Sequence, residues 1–139
     1  MNAGIVWEAL GIKENGTFSV NIPSADMVDK VDYCGLVSGR KADKAGLFHV
    51  FYGDLKTAPM INECPISMEC KVFETIELPS NYLIIGQIMA AFAEERCLTD
   101  DKLDVQKIDP LTLTMPDNRY WRVGKYAVAA WEAGKSLKA

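Results

Sequence analysis

The chain has 139 residues, of which 49% are hydrophobic and 24% charged, and its formal net charge is -4 at pH 7. A chain of this size buries about 68% of the surface that it exposes when unfolded, so one core suffices and intrinsic disorder is excluded. Because 15 Lys and Arg are dispersed among 19 Asp and Glu, the basic field that nucleic acids or anionic membranes require is missing, and we expect neither partner.

The N-terminus and the cysteines indicate the compartment. Residues 1–10 lack a basic segment before an apolar run, so they do not look like a secretory signal. The most apolar stretch, residues 82–93, is shorter than the roughly 20 residues of a membrane helix. Four irregularly spaced cysteines favour free thiols over disulfides: Cys34, Cys64, Cys70 and Cys97. We therefore expect a single cytoplasmic domain over residues 1–139.

A helix and a strand are predicted at the start of the chain. Residues 6–14 favour a helix, and Asn15-Gly16 is a pair that terminates helices. Residues 17–22 alternate between apolar and polar side chains before Pro23, which predicts a half-buried strand. The apolar face of that strand comprises Phe18, Val20 and Ile22.

A second helix is predicted over residues 25–34, where apolar side chains recur every three or four positions. Ser24 is its predicted N-cap and Gly35 its C-terminal stop. An aromatic strand is then predicted over residues 47–52, and a turn region over residues 54–60.

The second half of the chain is predicted to be rich in strands. Residues 66–72 alternate, and the apolar phase slips at Phe73, which indicates one long strand bent by a bulge. Residues 79–81 form a turn into a strand over 82–93 that is apolar on both faces, and such a strand must be covered on both. Because a barrel interior covers only one face, the other must meet a helix or another subunit, and we predict a homodimer. A further short strand is predicted over residues 111–115.

Few residues are suited to acid–base or metal chemistry. His49 is the single histidine, and next to apolar neighbours it is interpreted as structural, with a catalytic or ligand role as the alternative. Cys64 and Cys70 match no zinc spacing and are interpreted as buried apolar side chains. We therefore expect no metal site and no hydrolytic centre.

Two segments carry groups suited to an anionic, aromatic ligand. The loop over residues 38–46 places Arg40, Lys41 and Lys44 beside glycines, so it is either a phosphate site or a solvated loop. The run at residues 118–122 sets aromatic rings beside guanidinium groups, which suits either stacking on a heteroaromatic ring or core and dimer packing.

These segments belong to a set of motifs that resembles the flavoredoxin branch of the flavin reductase-like FMN-binding family, in order and spacing, from about Gly11 onward. The motifs are Phe18-Ser19-Val20-Asn21-Ile22-Pro23-Ser24, Asp32-Tyr33-Cys34-Gly35, Val37-Ser38-Gly39, Asp43-Lys44, Ala58-Pro59, Glu69-Cys70, Ile85-Gly86-Gln87-Ile88 and Arg119-Tyr120-Trp121-Arg122-Val123-Gly124.

The resemblance implies a mainly β fold with short helices, an FMN-binding split β-barrel that dimerises and holds FMN near the subunit interface. It implies an oxidoreductase that passes electrons between NAD(P)H or a redox protein partner and flavin. The flavin supplies the redox chemistry, so no catalytic side chain is expected. Lys44 matches a family lysine at the cofactor site, and the implied cofactor-binding set is Lys44, Ser38, Gly39, Arg40, Asn81, Tyr120 and Trp121.

Three departures from the family pattern lead to alternatives. The family carries the first barrel strands, with a flavin-lining segment, before the helix that stands here at residues 6–14, so we expect a barrel that is incomplete at the N-terminus. Trp7-Glu8 stands where the family tends to have a Tyr-Thr pair that serves the flavin phosphate, and Asn81 stands at a frequent histidine. The alternatives are a shortened, non-catalytic dimeric relative that no longer binds FMN, and the later part of a longer or split reading frame.

Overall fold

The computed structural model describes residues 11–37 and 44–137, and it confirms a mainly β chain with short helices. The strands are β1 (Thr17–Ile22), β2 (Val50–Phe51), β3 (Met60–Ile61), β4 (Ile66–Glu77), β5 (Tyr82–Ala93), β6 (Leu98–Thr99), β7 (Lys102–Leu103), β8 (Thr112–Thr114) and β9 (Arg119–Trp121). Residues 11–15 are α-helical, and two further α-helices follow, α1 (Val28–Leu36) and α2 (Val105–Ile108). 3₁₀ turns cover Ala25–Met27, Ala45–Leu47, Glu95–Cys97 and Ala133–Ser136. No helix in the described parts of the chain is long and apolar enough to cross a membrane.

The predicted helix end at Asn15-Gly16 is confirmed. Residues 11–15 are helical, and the N–H of Gly16 donates to the carbonyl of Ile12 at 2.8 Å. Gly16 has a φ of +65°, a backbone conformation that glycine adopts without a steric penalty. The chain therefore leaves the helix in a tight turn and enters β1 at the predicted residue.

The main sheet is antiparallel with the strand order β1-β4-β5. Both long strands are confirmed, and β5 has the predicted bounds. The pairing of β4 with β5 shifts between Val72 and Glu74, which confirms the bulge predicted at Phe73, and a second shift lies between Glu69 and Cys70. The bulges bend the hairpin without interrupting it.

The polar face of β4 is buried near its start, which the alternating pattern does not reveal. Glu69 is 1% exposed, and its carboxylate accepts the backbone N–H groups of Asp54 at 3.2 Å and Leu55 at 2.9 Å. A Cβ on Gly53 would lie 2.5 Å from Glu69 Oε2. The 53–55 turn therefore packs directly on a buried carboxylate, and only glycine fits at its first position.

Two local predictions are wrong, and a third is confirmed only in its position. Ser24 stands at the predicted N-cap, directly before the 3₁₀ turn, but its side chain makes no capping hydrogen bond, and its backbone forms a β-bridge with Pro110. Gly35 lies inside α1, which continues to Leu36 after a 3₁₀ turn at its start. Of the strand predicted over residues 47–52, only the two residues of β2 form a strand, and a 3₁₀ turn occupies the first predicted position.

Candidate functional site

Helix α1 joins the end of the basic loop to the C-terminal hairpin. Lys44 Nζ donates to the carbonyl oxygen of Cys34 at 2.6 Å, and Lys30 Nζ donates to that of Leu47 at 3.1 Å. Both lysines therefore bind the segment after the loop to the helix. Ser38, Gly39 and Arg40, which are predicted to bind the cofactor with Lys44, lie outside the described residues together with the other residues of 38–43.

Tyr120 contacts the same helix. Its hydroxyl donates to Asp32 Oδ1 at 3.1 Å, across a sequence separation of 88 residues. Burial and this hydrogen bond to a carboxylate raise the pKa of the Tyr120 phenol above its ordinary value. The phenol therefore keeps its proton at neutral pH. Asp32 has no predicted role, because nothing local in the sequence connects it to a strand so distant in the chain.

Trp121 lies on the other face of β9. Its Nε1 donates to Thr114 Oγ1 at 2.8 Å on the paired strand β8. Because successive side chains of a strand point to opposite faces, Tyr120 and Trp121 do not line one surface. About half of the Trp121 side chain is exposed.

Arg122 holds the end of the C-terminal hairpin against the start of the helical segment. Its guanidinium binds the carboxylates of Asp26 and Asp109. Backbone hydrogen bonds reinforce the junction, since the N–H of Ala25 donates to the carbonyl of Asp109 at 2.8 Å. The clamp keeps β9 close to the segment that leads into α1, and so keeps Tyr120 within reach of Asp32.

Asn81 lies apart from these groups, in the turn between β4 and β5. Its backbone carbonyl accepts the N–H of Leu78 at 2.9 Å, and its side chain donates to Ser80. Next to it, Lys13 Nζ lies 4.0 Å from the centroid of the Tyr82 ring. The structure therefore places Asn81 near the helix at residues 11–15, whereas Lys44 and Tyr120 each contact α1, at Cys34 and at Asp32.

His49 is paired with a carboxylate at an exposed position. Its Nδ1 lies 2.9 Å from Glu63 Oε1, and its backbone N–H donates to both carboxylate oxygens. Partial burial raises the pKa of Glu63, but the hydrogen bonds from His49 outweigh it, and the net shift is downward. No group of three or more His, Cys, Asp or Glu in the described residues is arranged to hold a metal ion.

Comparison with known proteins identifies the fold. A model of the flavin reductase like domain family matches residues 9–114. The chain belongs to this family. Flavoredoxin from Methanosarcina acetivorans is 62% identical, with a TM-score of 0.88 over 91% of this chain and 68% of that one. Flavoredoxin of Desulfovibrio vulgaris is 35% identical, with a TM-score of 0.84 over 97% of this chain and 73% of that one. The flavoredoxin branch indicated by the motifs is thereby confirmed.

A more distant structure confirms the architecture. A Shewanella frigidimarina protein with a split barrel domain superposes with a TM-score of 0.72 at 18% identity, over 86% of this flavin reductase-like chain and 63% of that one. An uncharacterised protein of Archaeoglobus fulgidus is 31% identical over 80 residues, which are 56% of this chain and 45% of its relative. The chain thus spans less than half the length of the curated relatives that it matches.

Proposed function

We propose that this chain is a flavin-binding redox domain of the flavoredoxin type, with FMN as its cofactor. The observation that carries the proposal is the 62% identity to a flavoredoxin over 91% of the chain. In this role the domain passes electrons between NAD(P)H or a redox protein partner and the bound flavin. The flavin supplies the redox chemistry, and the protein binds it, orients it and limits its access to water.

The position of Lys44 supports a phosphate-bearing flavin. Lys44 is half-buried and its ammonium group has three donors, of which one is used by a described residue, in the hydrogen bond to the Cys34 carbonyl. A phosphate accepts such donors in charge-assisted hydrogen bonds. We infer that Lys44 binds the FMN phosphate, together with Ser38, Gly39 and Arg40 of the preceding loop.

The aromatic residues of β9 have separate proposed roles. Tyr120, kept protonated beside Asp32, contacts α1, the helix to which Lys44 also donates a hydrogen bond. Trp121 presents a half-exposed indole on the opposite face. Because one strand face cannot offer both rings to one flavin, we assign Tyr120 to the cofactor bound by its own subunit, and Trp121 and Asn81 to surfaces that a second subunit would complete.

The test is a titration of the purified protein with FMN and with riboflavin, which lacks the phosphate, followed by flavin fluorescence. Removing a charge-assisted hydrogen bond costs about 1.5–3 kcal/mol, and about 1.4 kcal/mol is a tenfold change in affinity. Lys44→Ala should therefore weaken FMN binding roughly 10- to 100-fold and leave riboflavin binding unchanged. Lys44→Arg should restore most of the affinity, and Lys71→Ala, at an exposed position of β4, should match the wild type.

Two results would contradict the proposal at different levels. Equal FMN affinities of wild type and Lys44→Ala would remove the phosphate role of Lys44 and keep the flavin domain. A wild-type protein that binds neither flavin would overturn the redox function and leave the shortened dimeric relative without cofactor as the better description.

A further inference from the structure

A cleft separates the β6–β7 hairpin from the extended chain after β9. Its volume is about 530 Å³, within the range of about 300–1,000 Å³ that small-molecule sites occupy. One wall is formed by residues of β7 and α2, and the other by residues 123–126. The family match ends at residue 114, so the second wall lies outside the part of the chain that the family model describes.

The walls of the cleft are largely apolar. Leu103 and Val105 line one side, and Val123 and Tyr126 line the other. All four side chains are exposed in the single chain, and Tyr126 is the most exposed, at 73%. A flat apolar ligand between them would bury these surfaces and its own, which is favourable in proportion to the area removed from water.

Charged groups at the rim determine which ligand fits. Lys102 and Lys125 line the cleft, and neither ammonium group has a hydrogen bond or ion pair with any described residue. Asp104 is the one carboxylate in the lining, and its oxygens already accept the hydroxyl of Thr99 and the N–H of Gln106. Two lysines against one aspartate leave a net charge of +1, which favours a monoanion.

We propose that this cleft binds an organic monoanion with a flat apolar body, such as an aryl carboxylate. The carboxylate would lie between Lys102 and Lys125, and the ring would pack on Val123 and Tyr126. None of the residues predicted to bind FMN lines the cleft, so the site is separate from the flavin site and does not depend on the proposed redox function.

The experiment is a calorimetric titration of the full chain with 2-naphthoate, in parallel with 2-naphthalenemethanol and inorganic phosphate. We expect 2-naphthoate to bind with a dissociation constant below about 1 mM, and the neutral alcohol and phosphate each to bind at least about tenfold more weakly. FMN added to saturation should leave the 2-naphthoate affinity unchanged.

Variants test whether binding occurs in this cleft. Lys102→Gln with Lys125→Gln should lower the 2-naphthoate affinity at least about tenfold. Lys71→Gln with Lys135→Gln, the matched change at two other exposed lysines, should not. Val123→Asp, which places a carboxylate in the apolar wall, should abolish binding.

Four results would overturn the proposal. The first three are the absence of 2-naphthoate binding at millimolar concentration, an affinity that the Lys102 and Lys125 changes leave intact, and equal binding of the neutral alcohol. Competition between FMN and 2-naphthoate would also overturn it, because it would merge this cleft with the flavin site. Circular dichroism of each variant distinguishes loss of a ligand contact from loss of the fold.

Discussion

The two ends of the β4–β5 hairpin differ in burial, and in each the burial is the reverse of what the polarity of the side chains suggests. Near the start of β4 the polar residues Ser67 and Glu69 are 2% and 1% exposed, whereas near the turn the apolar residues Phe73 and Leu83 are 75% and 51% exposed. The first end lies beside β1 in the sheet, and the 53–61 segment packs on it, with backbone groups that bond to those polar side chains. Burial along one hairpin is therefore decided by what packs on it, and Phe73 and Leu83 near the turn remain exposed in the single chain.

The largest expected effect is at the buried end. Glu69→Ala removes the acceptor of two backbone N–H groups and leaves a cavity, and we expect a loss of about 3 kcal/mol in the free energy of unfolding. Gly53→Ala should cost a similar amount, because its Cβ would clash with the held carboxylate. Urea denaturation measures both. The control is Glu74→Ala at an exposed position of β4, whose free energy of unfolding should lie within about 0.5 kcal/mol of the wild-type value. If Glu74→Ala lost as much stability as Glu69→Ala, the buried carboxylate would not be the cause.

A smaller loss in the free energy of unfolding is expected for Gly86→Ala, midway along β5. A Cβ there would lie 2.3 Å from the ring of Phe18 on β1, and overpacking of this kind costs about 1–3 kcal/mol. The control is Gly134→Ala, whose added Cβ would have no atom within 4 Å. We expect it to leave the free energy of unfolding nearly unchanged. Phe18→Leu combined with Gly86→Ala should recover part of the loss in urea denaturation. Strict additivity of the two substitutions would show that the ring is not the obstacle.

At the turn end the expected effect is on association rather than on folding. The homodimer predicted from the two apolar faces of β5 would cover Leu83 and Ile85, which are both exposed in the single chain. Leu83→Glu should then shift the protein to the monomer in sedimentation velocity, with an unchanged circular dichroism spectrum. Thr75→Glu, on the neighbouring strand at a less exposed position, serves as a comparison. A monomeric wild type would show the dimer prediction to be wrong.

The smallest effect concerns thiol reactivity and leaves the folded state unchanged. Burial, and then the neighbouring Glu63 charge, raise the pKa of Cys64 to about 11, so its thiolate is scarce at mild pH. Cys34 on α1 is more exposed than Cys64, Cys70 and Cys97, which are buried. In native protein we expect iodoacetamide to modify Cys34 first and Cys64 about 100-fold more slowly. Mass spectrometry of digests gives the order, and early labelling of Cys64 would show that the buried end opens.

Local patterns predict the strands and miss the contacts that cover them. The alternation in β4, the apolar run of β5 and the Asn15-Gly16 helix end each depend on neighbouring residues, and each is confirmed. Ser24 stands at the predicted N-cap, but its side chain makes no capping hydrogen bond, and α1 continues past the predicted stop at Gly35 to Leu36.

The contacts of the candidate site depend on distant pairs of residues. The hydrogen bond between Tyr120 and Asp32 joins residues 88 positions apart, and Arg122 bridges Asp26 and Asp109. Neither pairing leaves a local signal in one sequence. Motif resemblance was able to indicate the family and a set of cofactor residues, but not that Tyr120 and Trp121 occupy opposite faces of β9.

The most direct test of the central proposal is the visible absorption spectrum of the purified protein after FMN is added and free flavin is removed by gel filtration. We expect the two flavin bands, in the near ultraviolet and the blue, to elute with the protein in wild type and Lys71→Ala, and to be strongly reduced in Lys44→Ala. Elution of all the flavin in the small-molecule fractions from the wild type would contradict the proposal that this chain is a flavin-binding redox domain.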